Sequence, residues 1–516
     1  MIKKFIDKLF GKAPGTGGGK SALGKRVELA QAEHGIDRAL LDANAVKVVQ
    51  TLKEAGHEAY IVGGAVRDLL LGLRPKDFDV ATNATPEQVK SLFRRAFIIG
   101  RRFRIVHVVY GRGREHEVIE VSTFRATLES ADAEQVSGNE KTSRAELAGK
   151  SHVVDTEGRV LRDNVWGPQI EDAARRDFTV NAMYYDPLGE VVVDYHHGLK
   201  DARKRVLRMI GDPASRYRED PVRIIRAVRF AAKLGFEIEP KTRAPIGEMA
   251  ALLENQPPSR LFDEMIKLLQ TGHSLRSMDE LRKQGLIGKR QGVFPILDVV
   301  LAEPRREDRD RFVQLALADT DRRVVEDKPV APSFLLACML WHDVLDGWQK
   351  LKGQGDAPFP ALQQAVDSVF DARIGDISGR GKLGADMREI WLMQPRFDRR
   401  SGTGPFSLVE QPRFRAGFDF LRLRADAGEI EPELAEWWED FSLGSDEERR
   451  ALIELAREQA GGRRAAPRPR AAVAPAASRA PEAAEEPLAP ARRRRRRRRK
   501  PAGSDGGGDA PTAGAA

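Results

Sequence analysis

The 516-residue sequence predicts an α+β head, a small mixed sheet with flanking helices, followed by an all-α neck and body and a disordered Arg-rich C-terminal tail. Three observations carry this reading. Strand and helix signals are mixed over 44–200. Strand signals become rare from about 201 to 450. Gly461–Ala516 is rich in Ala, Pro, Gly and Arg and has almost no large apolar residue, so it cannot bury enough surface to offset ordering entropy. The expected divisions are 1–43, a basic segment and linker; 44–200, the head; 201–280, the neck; 281–455, the body; and 456–516, the tail.

Taken in order, Met1–Phe10 is basic and amphipathic and runs into the Gly-rich linker Gly15–Gly19. Charges interrupt its apolar stretch, so no signal-peptide pattern is expected, and a frayed terminus is the reading there, with membrane-surface contact the alternative. Ile98–Val108 and Glu117–Phe124 read as strands around the turn Gly111-Arg112-Gly113. Residues 127–150 are polar and read as a mobile surface loop. Arg218–Leu234, Arg260–Leu269 and Phe334–Leu345 carry helical apolar spacing. No apolar run approaches the ~20 residues of a membrane span. The single cysteine, Cys338, cannot form an internal disulfide, which fits a reducing cytoplasm. Residues 461–516 hold thirteen Arg and one Lys against five acids, which accounts for the whole formal net charge of +9. Any basic surface on the rest of the chain must come from local clustering.

The segment Ala59–Thr82, AYIVGGAVRDLLLGLRPKDFDVAT, carries the chemistry. An apolar strand (Tyr60, Ile61, Val62) runs into Gly63-Gly64, a turn that lets backbone N–H groups approach phosphates at a helix start. Arg67 and Asp68 follow, and then Asp77-Phe78-Asp79. Residues two apart on a strand face the same side, so Asp77 and Asp79 project together with Phe78 and Val80 buried behind them. Adjacent carboxylates repel, a cation keeps both ionised, and hard oxygen ligands favour Mg²⁺. These features point to a metal-dependent nucleotidyl transferase. A third carboxylate from a neighbouring strand would complete the site, and Glu120 is the local candidate; its other reading is a partner for Arg125 or another basic residue.

The constellation resembles the class II nucleotidyltransferases, which comprise the bacterial poly(A) polymerases and the CCA-adding enzymes that repair tRNA ends. Further motifs follow in order: GRRFRIVHV (Gly100–Val108), IEVSTFR (Ile119–Arg125), RRDFTVNAMYYD (Arg175–Asp186) and RYREDPVRIIRAVRFAAKLGF (Arg216–Phe236). The resemblance is strong over roughly 50–280. The stretch IIGRRFRIVHV and two distal segments, Gln411–Ala425 and Ala435–Phe441, look like the poly(A) polymerase side of the family.

The resemblance implies transfer of AMP from ATP to RNA 3′ ends without a template, with two Mg²⁺ ions assisting. Asp77, Asp79 and Asp177 would be catalytic. Gly63, Gly64, Arg67, Arg176 and Asp177 would hold the nucleotide. Glu219, Arg223 and Arg226, which share one helical face by the i, i+4, i+7 rule, would do so with Asp220 nearby, and Asp220 and Arg223 match the base-reading pair. Outside that family context, Asp177 reads as a helix N-cap and Glu219–Arg223 as a solvated pair. Arg101, Arg102 and Arg104 could contact phosphates or the RNA backbone, or form a solvated cluster. Arg492, Arg493, Arg494, Arg495, Arg496, Arg497, Arg498 and Arg499 can neutralise several phosphates, or serve solubility. RNA 3′ ends are the expected partner, with RNA-decay proteins and without DNA. A CCA-adding enzyme and an inactive RNA-binding adaptor are the alternatives. His342-Asp343 lacks the companions of a metal phosphohydrolase, so His342 is expected to be structural.

Overall fold

An eight-stranded mixed sheet anchors the N-terminal half of the computed structural model, which describes residues 23–100, 104–111, 116–127, 134–135, 152–154, 160–286, 294, 297, 307–374 and 381–464. Its strands are β1 (Val27–Ala30), β2 (Ala59–Val62), β3 (Asp79–Thr82), β4 (Ala96–Ile99), β5 (Ile105–Tyr110) and β6 (Glu117–Thr123). After β7 (Glu134–Gln135), β8 (His152–Val154) and β9 (Val160–Asp163), which form a separate sheet, come β10 (Met183–Asp186) and β11 (Val191–Asp194). The order is β1-β11-β10-β2-β3-β6-β5-β4, with β3 and β6 parallel and every other pair antiparallel.

Helices α1 (Ala43–Glu54), α2 (Gly64–Leu70) and α3 (Pro86–Leu92) accompany these strands. The Asp42 carboxylate caps α1 by accepting from the Ala45 N–H at 2.9 Å. Thr85 and Gln88 form a reciprocal capping box at α3, and Pro86 occupies its first turn, where no N–H is needed. Val48, Val49 and Leu52 of α1 and Val89 of α3 bury one sheet face with Val80, Val106, Val108, Ile119 and Val121. Each fully buried aliphatic side chain contributes about 1.5–3 kcal/mol. The opposite face carries a smaller cluster of Val62, Ala81, Phe124, Tyr184 and Val193, closed by Ala173 of α4 (Gln169–Arg175).

Beyond α5 (Gly198–Lys204) the described residues hold helices apart from a short parallel pair, β12 (Val206–Leu207) with β13 (Glu237–Ile238). That pair departs from the expected all-helical neck. Then α6 (Pro213–Glu219), α7 (Val222–Leu234), α8 (Pro258–Leu269) and α9 (Ser274–Lys283) lead into the distal helices, where Trp341, Trp391 and Trp438 are fully buried. Cys338 is buried and unbonded. His342 is also buried, with Nε2 2.7 Å from Oε1 of Glu429; that carboxylate also accepts from Trp341 Nε1 and Arg424 Nε. Among the described residues no helix is long and apolar enough to cross a membrane.

Three local expectations change. Ile98–Val108 is two strands, because Gly100 at φ +87° turns the chain between β4 and β5. The helix expected over Arg218–Leu234 breaks at Asp220-Pro221. Proline lacks the N–H and forces the residue before it toward extended backbone, and Asp220 sits at φ −148°, ψ 91°. The surface loop expected over 127–150 contains β7, which pairs in parallel with β8; the rest of it, residues 1–22 and the tail beyond 464 lie outside the described residues. The chain divides into units 1–459 and 460–516, and the helix Asp446–Arg464 runs past 456, where the tail was expected to begin.

Candidate active site

A cleft of about 1220 Å³ opens between the ends of β2 and β3 and the helices α2, α4, α7 and α8. Twelve Lys or Arg line it against eight Asp or Glu, so it attracts polyanions although residues 1–460 carry no net charge. Gly63 turns β2 into α2 at φ +70°, and a Cβ there would stand 3.3 Å from Arg176 Nη1. Both the turn and the close approach call for glycine. Arg67 is buried just beyond it. Its Nη1 donates to Asn181 Oδ1 at 2.7 Å, and Nε and Nη2 donate to Asp68 Oδ1 at 2.8 and 2.7 Å.

Asp77 and Asp79 both line the cleft. Only Asp79 lies in β3; Asp77 sits in the bend before it. The expected alternation is present, with Phe78 and Val80 buried between and behind open carboxylates. Asp79 is directly opposite Glu120 on β6. Partial desolvation by the cleft walls, then Glu120 and Asp77, raise its carboxyl to about 6 even though Arg176 pulls the other way. Glu120 is not part of the cleft lining; its Oε1 lies 3.2 Å from His107 Nε2. Among the described residues no three His, Cys, Asp or Glu side chains converge at metal-ligand spacing. Two carboxylates thus face the cleft, with the third one strand away. Two neighbouring hard oxygen donors, one holding its proton up to about pH 6, fit a divalent cation.

Asp177 is buried and fully partnered. Its Oδ2 accepts from Arg226 Nε and Nη2 at 3.0 and 2.6 Å, and Oδ1 accepts from the Phe178 N–H and Asn181 Nδ2 at 2.7 and 3.2 Å. Burial opposes ionisation, yet the Arg226 guanidinium and these donors outweigh it and hold the carboxyl down at about 2. Arg176 donates to Asn181 O at 3.3 Å and Asp172 Oδ2 at 3.2 Å and stacks over Tyr184. Asp172 also accepts from Tyr184 Oη at 2.7 Å and from the Arg125 N–H at 3.2 Å. Asp172 and Tyr184 are hubs that sequence reasoning missed, since their partners lie on other elements. Phe230 was missed too: the guanidiniums of Arg67, Arg226 and Arg229 surround its ring at 4.5–5.6 Å. The Arg223, Arg226 and Phe230 spacing was its one local signal.

The break at Asp220-Pro221 splits the proposed base-reading set. Asp220 lines the cleft, and its Oδ2 accepts from Arg260 Nη2 at 2.9 Å. Arg223 also lines it, donating from Nη1 to Glu219 Oε2 at 2.9 Å and to Arg216 O at 2.8 Å. Glu219 ends α6, stays exposed and does not line the cleft, so Glu219, Arg223 and Arg226 do not share one continuous helical face. Arg216 Nη2 donates to the carbonyls of Arg175 and Arg176, both at 2.7 Å. Burial, then the neighbouring Arg223, pull Arg216 down to about 10, which leaves it charged at neutral pH. Arg104 precedes β5 and its guanidinium pairs with Glu87. Arg101, Arg102 and Arg492–Arg499 lie outside the described residues.

Comparison with known proteins places this geometry. Residues 59–208 match the poly A polymerase head domain, 235–300 the probable RNA and SrmB-binding site of polymerase A, and 354–501 the polymerase A arginine-rich C-terminus. Poly(A) polymerase I of Salmonella typhi is 40% identical over 441 residues, covering 85% of this chain and 90% of that protein. The chain belongs to the poly(A) polymerase I family. The family's protein from Haemophilus influenzae is 42% identical over 414 residues, covering 80% of this chain and 87% of its own. Likeness to a CCA-adding enzyme, that of Bacillus licheniformis, is 34% over 258 residues, or 50% of this chain and 58% of that one.

Proposed function

We propose that this protein is a polynucleotide adenylyltransferase that adds AMP from ATP to RNA 3′ ends in the cytoplasm, releasing pyrophosphate. The observation that carries the reading is the carboxylate pair Asp77 and Asp79 inside a cleft where twelve Arg or Lys outnumber eight Asp or Glu. Asp77 and Asp79 would hold Mg²⁺, with Glu120 the nearest further carboxylate. Bound there, the metal would supply positive charge at the reacting phosphate and ease ionisation of the RNA 3′-hydroxyl. Gly63 and Gly64 let backbone approach the triphosphate. Arg67 and Arg176 hold the walls on both sides through Asn181 and Asp172. Asp177 acts by positioning, since both of its oxygens are engaged, and it fixes Arg226 and Asn181.

Primer extension with each nucleoside triphosphate separately tests the reading. Homopolymeric A from ATP alone on generic RNA supports it, whereas C-C-A confined to tRNA overturns it in favour of the CCA-adding alternative. RNA binding without incorporation of any nucleotide would leave an adaptor.

Base choice is assigned to Asp220 and Arg223. Arg223→Ala should raise the KM for ATP and blur discrimination against CTP by about tenfold, because a site built to hydrogen-bond one base edge loses a donor. An unchanged ATP/CTP ratio would move base selection elsewhere. The arginine run is assigned to RNA phosphates. Deleting residues 461–516 should flatten the dependence of log K on log salt by about 0.7 per lost single-strand phosphate contact, and turnover at saturating RNA should barely change. Parallel lines in a salt series would exclude RNA contact by the tail.

A further inference from the structure

The two layers that cover the sheet do not end at the same strand. On one face, α1 and α3 pack as far as Val106 of β5 and Ile98 of β4. On the other, the cluster of Phe124, Ala173 and Tyr184 reaches Ala81 on β3 and stops. From β6 outward, no buried apolar cluster among the described residues lies on this second face. Register shows what it carries. Asp79 is opposite Glu120, Glu120 is opposite His107, and His107 is opposite Phe97. Residues opposite one another on paired strands share a face, so these four side chains form one row. The row starts at a cleft carboxylate and ends on the edge strand. Phe97 is 55% exposed there and its same-face neighbour Ile99 36%. Arg95 is two residues before Phe97; its carbonyl accepts from the Val109 N–H at 3.0 Å, which keeps it in register with β5.

We infer that this face seats the RNA chain being extended, with bases stacked on Phe97 and His107 and the 3′ end delivered toward Asp79. The inference rests on the adenylyltransferase reading above. Four features favour RNA as the occupant. The face continues directly from the carboxylates where the 3′ end must arrive. Glu120 and His107 interrupt its apolar surface, which suits a nucleic acid better than an apolar protein patch. Aromatic and imidazole rings on a sheet are the surfaces on which single-stranded bases stack without regard to sequence. The imidazole also lies beside an acceptor, the Glu120 carboxylate 3.2 Å from Nε2. Three strand spacings separate Asp79 from Phe97, about 14 Å. At ~3.4 Å per stacked nucleotide, Phe97 meets about the fourth base from the reacting end.

The test is Phe97→Ala in the full chain, assayed with a dinucleotide and a decanucleotide of adenylate. Elevated salt suppresses the tail's electrostatic contribution. The decanucleotide KM should rise about tenfold, the loss expected of one stacked base. The dinucleotide, too short to reach Phe97, should be unaffected, and kcat at saturating decanucleotide should hold. Phe97→Trp should restore the decanucleotide KM. Decanucleotide affinity measured by anisotropy without ATP should fall by the same factor. That binding readout separates the two claims. A parent protein that incorporates nothing from ATP defeats the functional reading alone, and unchanged affinity of Phe97→Ala defeats the RNA seat alone. Equal losses on both primers would make Phe97 merely structural. A changed sedimentation coefficient with RNA affinity intact would make the face a contact between copies. Either result overturns the inference.

Discussion

Replacing Asp79 with Asn is expected to reduce nucleotide incorporation by at least about 10²–10³-fold while leaving the protein no less stable. The side chain faces the cleft and not the core, so an isosteric amide keeps the fold. The loss comes from transition-state charge stabilisation, which costs several kcal/mol when a metal-holding carboxylate is removed. Stability should move the other way. The folded carboxyl is raised to about 6, against an ordinary value near 3.9, by partial desolvation, Glu120 and Asp77. Its ionised form is therefore disfavoured in the folded state: the cost is absent below about pH 4 and fully present above about pH 6. The group is open to water, which screens most of this, so the amide should gain less than about 1 kcal/mol at pH 8 and nothing at pH 4. Primer extension and thermal melts at both pH values check the pair of effects. A variant that melts much earlier than the parent at pH 8 would make Asp79 a structural residue, and near-normal turnover would remove it from the metal site.

Arg226→Ala is expected to destabilise the folded chain by about 3 kcal/mol, because it leaves the Asp177 carboxylate buried without its cation. The pH dependence is distinctive. Asp177 is held at about 2 in the folded protein, below its unfolded value near 3.9. Its pairing therefore contributes stability above about pH 4, and that contribution is lost as pH falls from about 4 toward 2. Urea unfolding should show a wide gap between parent and variant at pH 7 that narrows below pH 4. A gap constant with pH would mean that Arg226 acts through its stacking on Phe230 instead. Arg226→Lys should recover little, since one ammonium cannot reproduce the two-pronged contact from Nε and Nη2.

Much of this site was legible from local chemistry. Gly63-Gly64 after an apolar run marks a turn where backbone must come close, and Asp77-Phe78-Asp79 shows its alternation directly. Such signals are short-range, and backbone geometry alone decides them. The Asp172–Tyr184–Arg176 hub was not legible, because its members meet only once α4 packs against β10. Two errors had readable causes. Pro221 sits inside an otherwise helical pattern, and giving it full weight would have broken the helix at Asp220. Gly100 interrupts a run of strand formers and would have split Ile98–Val108 in the same way. Apolar periodicity outvoted a single disruptive residue in both places, although φ and ψ at that residue override the pattern around it. Glu120 shows a further limit. Sequence could offer both a metal ligand and a partner for a basic residue, but only the register of β5 against β6 identifies His107 as its neighbour.

Arg216 grips the carbonyl oxygens of Arg175 and Arg176. A clamp on backbone is indifferent to which residues provide it. Side chains at 175 and 176 can therefore be exchanged without loss of these two bonds. The same holds in reverse for Arg223, which takes its own anchor from the Arg216 carbonyl. Chemistry and alignment are thus heritable separately in this cleft. A lineage, or a protein engineer, can rewrite the nucleotide preference one side chain at a time while these bonds to backbone stay in place.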